Sequence, residues 1–439
     1  MRQVPKLQLQ PQAWFLTALV GLLLVLQLLA PSRNWRILLV GLGGAWLISY
    51  LWAWSLARRL RLTRELRFGW AQVGDKIVER FTLFNDGRAP ALWVEVVDHS
   101  TIPNYQASRG TGVSSRHSIK WHREAICTRR GLFTLGPTTL RTGDPFGLYT
   151  VTLHYPTSLP LMVLPPIVPL PSIEVAPGGR AGEGRPRANA LERSVSAAGV
   201  REYRPGDGLR WVHWRTSARH GSLFVRLFDG TPASNWWILL DMDRRVQVGK
   251  DLDATEEHAV ILAASLADRG LRSGHAVGLA AHGEQLVWLP PREGEGQRWE
   301  VLRSLALVSL GSRPLAELLA GLRPTLEQHT SLVIITPAVD TAWVEALVPL
   351  LRRGAIPTVL LLDPVSFACP ESRRGSFGAL SVTQALLADL EVAHYVITRD
   401  LLDRPEARPG QQGHWPRPVL GPSLAPVGQS RETGWEVLS

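Results

Sequence analysis

The residues best suited to chemistry lie between positions 201 and 229, where arginines are interspersed with aromatic side chains (REYRPGDGLRWVHWRTSARHGSLFVRLFD). Within this segment Pro205-Gly206-Asp207-Gly208 predicts a turn, because Pro presets φ and Gly tolerates positive φ. The charged and aromatic residues around the turn are Arg201, Glu202, Tyr203, Arg204, Asp207, Arg210, Trp211, Trp214, Arg215, Arg219 and Arg226. Guanidinium groups stack on aromatic rings and pair bidentately with carboxylates. The segment therefore predicts a stacked ion-pair network that locks two domains together, with a protein-docking surface as the alternative.

Catalysis is the weakest interpretation of the same segment. His213 and Ser217 could serve as base and nucleophile, but no nucleophile context such as G-x-S-x-G surrounds Ser217. The sequence also has no Walker A, HExxH or CxxC motif. The arginines could bind phosphate or nucleic acid, but no recognition motif accompanies them. A hydrolase acting in a cleft between domains is therefore disfavoured.

Composition narrows the class of protein further. The 439 residues carry a formal net charge of +10, with 45% hydrophobic and 20% charged residues, which excludes a wholly disordered or collagen-like chain. The two cysteines, Cys127 and Cys369, are far apart and have no Cys/His cluster nearby. This spacing excludes a disulfide framework and a structural zinc site, and it indicates a reducing compartment.

Two uncharged apolar runs, residues 14–30 and 37–57, predict a transmembrane helical hairpin near the N-terminus. About 20 residues at a rise of 1.5 Å span a hydrocarbon core of about 30 Å. A signal peptide is disfavoured because no small-x-small cleavage site precedes the second run. The remaining alternative is a buried helical hairpin of a soluble domain.

The distribution of basic residues predicts the orientation of this hairpin. Only Arg33 and Arg36 lie in the loop between the runs. The flanking basic residues are Arg2, Lys6, Arg58, Arg59, Arg61, Arg64 and Arg67. The positive-inside rule therefore predicts a multi-pass protein of the cell (inner) membrane, with both termini and the large domains in the cytoplasm.

The elements after this hairpin domain (residues 1–67) predict a small antiparallel β-sandwich at residues 68–165. Residues 76–84 and 91–98 alternate apolar and polar side chains around an Asn-Asp-Gly turn, and shorter β-like runs follow at 118–127, 131–140, 146–153 and 161–164. Between two of these runs, Asp144-Pro145-Phe146-Gly147 predicts a turn with an Asp cap and with Phe146 packed beneath it.

Residues 166–234 are expected to be a linker that carries the Arg-rich segment, and the pattern then changes at residue 235. Apolar runs such as WWILL, LVIIT and TVLLLD alternate with stretches of helical period up to residue 400. This alternation predicts an α/β domain with a mainly parallel sheet covered by helices on both faces. Residues 401–439 are rich in Pro and have no sustained period, so we expect a loose tail.

Two stretches resemble the signature of the bacterial domain-of-unknown-function 58 family, roughly R-E-Y-x-P-G-D-x-x-R-x-I-x-W-x-x-S-A-R followed by a turn and V-R. The first is residues 129–149 (RRGLFTLGPTTLRTGDPFGLY) and the second is the Arg-rich segment, residues 201–229. The matching positions are Arg201, Glu202, Tyr203, Pro205, Gly206, Asp207, Arg210, Trp214, Ser217, Ala218, Arg219, Val225 and Arg226. The order of hairpin, β domain, signature and α/β domain also matches, so the resemblance covers nearly everything except the tail.

The resemblance implies a membrane-anchored protein whose α/β domain is similar to the von Willebrand factor A domain. Family members are usually encoded beside MoxR-type AAA+ ATPases, often beside transglutaminase-like membrane proteins, and no enzymatic activity is established for them. We therefore expect a non-enzymatic adaptor in the lipid bilayer that works with a MoxR-type ATPase in the assembly or maturation of other proteins. A structural envelope scaffold without an ATPase partner is the alternative, and nucleic acid is not an expected partner.

The resemblance also implies a place for Mg²⁺, because working A domains bind this ion through Asp-x-Ser-x-Ser, a Thr and a further Asp. The corresponding strand here ends in DMDRR at residues 241–245, and Thr336 ends a later strand. Mg²⁺ prefers six oxygen ligands, whereas Arg245 brings a positive charge and Pro337 replaces an expected acid. We therefore expect a degenerate site at Asp241, Asp243 and Thr336, no resident cofactor, and ion pairs of the two aspartates with nearby arginines or a helix N-terminus.

Overall fold

The computed structural model describes residues 5–170, 173–176, 197–203, 212–228, 235–326, 330–367, 377–401 and 436–438. The chain divides into two compact units. The first contains Met1–Pro166 and Pro409–Ser439, and the second contains Ile167–Arg408.

The first unit combines two helices with a set of mostly antiparallel strands. The helices are α1 (Trp14–Leu29) and α2 (Arg33–Arg59). The strands are β1 (Lys6–Pro11), β2 (Leu60–Leu66), β3 (Trp70–Gln72), β4 (Lys76–Asn85), β5 (Ala91–Asp98), β6 (Arg109–Val113), β7 (His117–Ile126), β8 (Gly131–Leu135), β9 (Thr138–Gly143), β10 (Tyr149–Tyr155), β11 (Leu159–Leu164) and, far along the chain, β20 (Glu436–Leu438). They form sheets in the orders β1-β10-β9-β5-β6, β20-β2-β4-β7 and β3-β11-β8. The antiparallel strands predicted for this region are therefore present.

Both ends of the helical hairpin join this β-rich unit, so the predicted boundary at residue 67 does not separate two bodies. Strand β1 precedes α1 and pairs antiparallel with β10 from Lys6↔His154 to Pro11↔Tyr149. Strand β2 follows α2 directly and pairs with β4. Neither strand was expected from the sequence, because the apolar runs beside them dominated the pattern.

The two helices differ from the two predicted spans. Helix α2 is 27 residues long and has a window of mean hydropathy 1.7, which makes it long and apolar enough to cross a membrane. Helix α1 has 16 residues, and at 1.5 Å per residue it is about 24 Å long. Among the described residues, α2 is thus the only helix that meets the length and composition of a full span.

The C-terminal part of α2 belongs to the core of the first unit. Ala53 and Leu56 are 0% exposed and cluster with strand residues such as Phe81 and Val151. In contrast, only 11% of the most apolar 18-residue window of α2 is buried. One helix therefore has two environments, a packed end and an apolar surface that the described fold leaves uncovered.

A charged cluster, which we call the Arg64 cluster (Arg64, Glu79, Asp98 and Tyr105), is enclosed in this core. Inward and outward positions alternate along β2, and Arg64 occupies an inward position between leucines. Its guanidinium donates to both oxygens of Glu79 at 2.9 and 2.7 Å and to Asp98 Oδ1 at 2.7 Å. Tyr105 Oη donates to the same Glu79 carboxylate.

In the Arg64 cluster, the combined effect of ion pairing on the pKa of Arg64 exceeds the effect of burial. Burial by itself lowers the pKa of Arg64, but the hydrogen bond and the charge of Glu79, together with the charge of Asp98, raise the net pKa above its ordinary value. Burial, followed by the Glu79 charge, raises the pKa of Tyr105, which stays a neutral donor. The cluster therefore holds β2, β4 and the end of β5 together through fixed charges.

The second unit contains an open α/β sheet. Its strands are β12 (Ala197–Glu202), β13 (Phe224–Phe228), β14 (Trp236–Leu240), β15 (Val277–His282), β16 (Leu286–Arg292), β17 (Ser331–Thr336), β18 (Ile356–Leu362) and β19 (Ala393–Ile397). Its helices are α3 (Trp214–His220), α4 (Thr255–Arg272), α5 (Glu295–Leu307), α6 (Leu315–Leu322), α7 (Ala342–Leu351), α8 (Pro364–Phe367) and α9 (Phe377–Asp389). The large sheet has the order β16-β15-β14-β17-β18-β19, in which only β16 runs antiparallel to its neighbour. The sequence predicted a mainly parallel sheet. The observed sheet is mixed, with parallel pairing between all neighbouring strands except β15 and β16.

Helices cover both faces of this sheet. Alternate strand residues, such as Trp237 and Ile334, pack in one cluster with Leu319 of α6 and Leu347 of α7. Helix α4 packs against β14, β15 and β17. Gly270 on α4 makes that packing close, because a Cβ there would lie 2.7 Å from the Trp236 ring.

Part of the predicted linker is integrated into the second unit. Val168 and Ile173 are buried, and the Val168 backbone N donates to Ser265 Oγ at 2.9 Å. Ser331 Oγ donates to the carbonyl of Ala176 at 2.8 Å. The frequent prolines concealed this apolar pattern in the sequence. Within the predicted tail, Glu436–Leu438 forms β20 and pairs with β2, and residues 402–435 lie outside the described residues.

Replacing Arg64 by Met should lower the free energy of unfolding by about 3–5 kcal/mol, because Glu79 and Asp98 would then be buried without a counter-charge. Denaturant unfolding of the full chain in detergent measures this loss. Arg141→Met is the matched control, since Arg141 is 57% exposed and lies 4.0 Å from Glu95. The control should change stability by less than about 0.5 kcal/mol. Equal losses in the two variants would contradict a structural role for the Arg64 cluster.

Candidate functional site

The Arg-rich signature forms a β-hairpin with a short helix inserted in it. Strands β12 and β13 pair antiparallel, with Arg201 opposite Val225 and Val200 opposite Arg226. The His213 backbone N donates to the carbonyl of Phe224 at 2.7 Å. This pairing places Arg201 and Arg226 on neighbouring strands. Four predicted site residues lie outside the described residues: Pro205, Gly206, Asp207 and Arg210.

Ser217 and His213 are engaged in holding helix α3. The Ser217 hydroxyl accepts a hydrogen bond from the Phe224 backbone N at 2.8 Å and donates to the carbonyl of His213 at 3.1 Å. His213 Nδ1 accepts from the backbone N of Thr216 at 3.1 Å, which caps the start of the helix. Gly221, with φ of 71°, ends it in the left-handed conformation. These contacts give both side chains structural roles.

The outer face of α3 presents aromatic and cationic groups to solvent. Trp214 is 66% exposed, although an indole of this size is usually buried. Ala218 and Arg219 are exposed on the same short helix, while Ser217 faces inward. Of the other matched residues, Glu202 is exposed and Tyr203 is half-buried. Exposure of Trp214 favours the docking alternative over a stacked network for this residue.

The Asp-Pro-Phe-Gly motif of the first unit forms the predicted turn between β9 and β10. Asp144 Oδ2 accepts from the backbone N of Phe146 at 2.9 Å, and Oδ1 accepts from that of Tyr149 at 2.6 Å. Pro145 follows the capping Asp, and Gly147 has φ of 70°. The expectation that Phe146 packs beneath the turn is wrong, since its side chain is 62% exposed. Tyr149, at 6% exposure, fills the core at this end of the sheet instead.

The carboxyl edge of the parallel sheet brings together Asp241 and Thr336, two residues that the family resemblance implies for one site. Asp241 follows β14 and Thr336 ends the neighbouring strand β17, and Thr336 Oγ1 donates to Asp241 Oδ2 at 2.6 Å. In the sheet, β15 is the neighbour of β14 on one side and β17 is its neighbour on the other. The strand order therefore reverses direction between β14 and β17, and this edge is a topological switch point. Open α/β sheets bind ligands at such points.

Both aspartates at this edge already have partners. Burial raises the pKa of Asp241 to about 6, because its carboxylate has lost water, and the bond from Thr336 offsets part of this rise. Arg245 donates through Nε and Nη2 to Asp243 at 3.0 and 2.6 Å. That bond lowers the pKa of Asp243. The ion pair expected from the sequence is thus present between Asp243 and Arg245.

The residues at this edge do not fit a Mg²⁺ ion. The Arg245 guanidinium occupies the oxygens that Asp243 would offer, and a dication would have to displace this positive charge. Within the described ranges, no group of three or more His, Cys, Asp and Glu residues could hold a metal. The sequence did not indicate that Gln247 Nε2 donates to the Asp241 carbonyl at 2.8 Å, which further fixes this loop.

The resemblance proposed from the signature is confirmed over part of the chain. The model of the family described as "Protein of unknown function DUF58" matches residues 199–384, which include α3 and most of the large sheet. An uncharacterised protein of Bacillus subtilis, YeaD, is 25% identical over 259 residues, covering 57% of this chain and 63% of the relative. An uncharacterised protein of Mycobacterium tuberculosis, Rv1480, is 26% identical over 177 residues, covering 39% of this chain and 56% of the relative.

The chain spans less than two thirds of the length of these curated relatives. Among solved structures, a crystal structure of an aerotolerance-related membrane protein from Bacteroides fragilis is similar at 16% identity with a TM-score of 0.28. The similarity covers 37% of this chain and 91% of that protein's chain.

The melting temperature of the full chain in detergent should be the same in millimolar Mg²⁺ as in EDTA. A ligand that binds only the folded state raises stability with the logarithm of its concentration, and the Asp243–Arg245 pair prevents such binding. Thermal scans in both buffers test this expectation. A metal-dependent rise that Asp241→Ala abolishes would show that Arg245 can leave Asp243 and that the site is functional.

Proposed function

We propose that this chain is a membrane-anchored, non-enzymatic interaction protein whose helix α3 docks a protein partner. The observation that carries the proposal is the exposure of Trp214, at 66%. The buried hydroxyl of the same helix, that of Ser217, is engaged by backbone groups. A catalytic nucleophile lies within hydrogen-bond reach of a base side chain, whereas the hydrogen bonds of Ser217 Oγ are to backbone groups. Here the polar groups hold the helix, and the indole is left available for contact.

The chemistry of α3 suits protein recognition. Trp and Arg are the side chains that most often dominate the binding energy of protein interfaces. Arg215 and Arg219 are exposed on the same short helix as the indole, so the surface suits an acidic partner. A MoxR-type AAA+ ATPase is the partner that the family resemblance implies, and assembly or maturation of other proteins is the process we assign to the pair. The large sheet would then be a von Willebrand factor A-like domain that supports the docking surface.

The membrane anchor is supported by the way the hairpin joins the first unit. A buried helix of a soluble domain would be covered, whereas the apolar window of α2 is 11% buried. Strand β1 before α1 and strand β2 after α2 belong to the same unit, so a chain that enters the bilayer through α1 returns to its starting side through α2. With the basic residues that flank the hairpin, this arrangement supports a cytoplasmic location for both units.

Trp214→Ala should weaken binding of a purified MoxR-type ATPase from the same genome to the full chain in lipid nanodiscs. Loss of an interface Trp costs about 2 kcal/mol, or roughly a thirtyfold rise in Kd. Because Trp214 is exposed, the melting temperature should not change. Leu286→Ala is the matched control, since Leu286 is 56% exposed on β16 of the same unit. Unchanged Kd would refute docking through α3, and a lower melting temperature would favour the stacked network.

A reporter fused after Ser439 should be active only if it is one that folds and works in the cytoplasm. The reason is that both ends of the hairpin join one β-rich unit, flanked by basic residues such as Arg58 and Arg59. Parallel fusions of a cytoplasmic and a periplasmic reporter measure this. Activity of the periplasmic reporter at that position would overturn the topology.

A further inference from the structure

The foot of the hairpin, where the helices meet the β-rich unit, can be located from four contacts. Trp46 Nε1 on α2 donates to Thr17 Oγ1 on α1 at 3.1 Å, which places these two residues at one level. The Tyr50 ring meets Tyr149 edge-on with a centroid distance of 5.8 Å. The Gln12 backbone N donates to the carbonyl of Leu148 at 2.8 Å.

The fourth contact lies beyond this level. Trp52 Nε1 donates to the carbonyl of Pro90 at 3.0 Å, so the β-rich unit begins to touch α2 between residues 46 and 52.

Three exposed apolar side chains, Leu92, Trp93 and Phe146, lie close in the chain to the residues that contact the foot, and we call them the apolar rim. Phe146 lies in the turn just before Tyr149, and the start of β5, with Leu92 and Trp93, follows Pro90. These three side chains are 62%, 60% and 45% exposed for Phe146, Leu92 and Trp93, respectively. The two parts of the rim are adjacent, because the Trp93 ring lies 3.1 Å from the position a Cβ on Gly143 would take.

The part of the hairpin that extends past the foot is shorter than a bilayer core. Residues 17–29 of α1 and residues 33–46 of α2 lie beyond the Trp46–Thr17 contact. At 1.5 Å per residue these segments are about 20 Å long, against a hydrocarbon core of about 30 Å. The helix segments can match the hydrocarbon core in two ways. Either the core extends along α2 to the level of the β-rich unit, or the bilayer becomes thinner around the hairpin.

We propose that the apolar rim (Leu92, Trp93 and Phe146) inserts into the interfacial layer of the lipid bilayer around the foot of the hairpin, so that the β-rich unit lies partly in the membrane surface. Exposed apolar side chains also lie at the start of α1, where Trp14 and Phe15 are 74% and 63% exposed, just after Gln12, which pairs with Leu148 beside the turn. Indole and phenyl rings favour the region between headgroups and acyl chains. The proposal rests on the membrane anchor proposed above and assigns the Asp-Pro-Phe-Gly turn a lipid-contacting role.

The geometry of the turn suits this role. Asp144 fixes the backbone on both sides of Phe146 through two hydrogen bonds, so the ring is held outward without a core contact. Such pre-ordering lowers the entropy lost when the ring enters lipid. A turn that only linked β9 to β10 would need no exposed aromatic residue.

Site-specific fluorescence in the full chain, reconstituted in vesicles of phosphatidylcholine and phosphatidylglycerol, tests the proposal. A polarity-sensitive dye is attached to Phe146→Cys in a Cys369→Ser background. Cys127 can remain, because it is buried and burial raises the pKa of its thiol to about 12, which keeps it unreactive near neutral pH. The matched control is Leu132→Cys, which is 55% exposed on β8, a strand that leads into the opposite end of β9. A third probe at Leu24→Cys in α1 reports on the anchor itself.

We expect lipids spin-labelled near the top of the acyl chain to quench the probe at residue 146 and its emission to shift to the blue, while the probe at residue 132 is quenched only by aqueous iodide. Quenching at residue 24 without quenching at residue 146 would overturn the rim and leave the anchor intact. A probe at residue 146 that is shielded from iodide but not quenched by lipid would also overturn it, because a protein surface would then cover the rim. No quenching at residue 24 would overturn the anchor and, with it, the rim.

Discussion

The pairing of β1 with β10 is the constraint on which the architecture of the first unit depends. It attaches the chain before α1 to the same unit that continues from α2 through β2, and the two apolar helices are therefore held at both ends. The two attachments also give α2 its two environments, since Ala53 and Leu56 pack against strands, whereas the apolar window of the helix is 11% buried by the described residues. A connection of this kind keeps the orientation of the hairpin fixed relative to the β strands.

The buried ion pairs of Arg64 with Glu79 and Asp98 make the attachment of the hairpin to the β strands rigid. Two buried carboxylates and one guanidinium would each be costly alone, and their hydrogen bonds offset the cost only in one geometry. Arg64 therefore selects the register of β2 against β4, because a slip of one residue would turn the guanidinium towards solvent and a neighbour towards the core. Although Arg64 was counted with the flanking basic residues that predict orientation, it is 3% exposed and cannot face headgroups.

Period and composition predicted the antiparallel strands and the mainly parallel sheet, because both depend on local apolar patterns, whereas the Asp241–Thr336 juxtaposition was implied by the family resemblance. Strands β1 and β2 were missed, since short strands beside long apolar runs have no pattern of their own strong enough to be separated. The Arg64 cluster could have been found from one signal: a charge on the apolar side of an alternating pattern, as in Leu62-x-Arg64-x-Leu66. The exposure of Phe146 could not have been predicted, because the sequence does not show on which side of a turn an aromatic ring lies.

The two candidate surfaces of this chain share one design, in which polar side chains are used to hold an aromatic ring outward. Ser217 and His213 secure α3 while Trp214 is exposed, and Asp144 secures the β9–β10 turn while Phe146 is exposed. The carboxyl edge of the sheet differs, because there Asp243 and Arg245 pair with each other. Exposed rings are suited to contact with protein in the case of α3 and with lipid in the case of the β9–β10 turn, as we propose. The exposure of these two rings is the physical reason for which we propose an interaction protein.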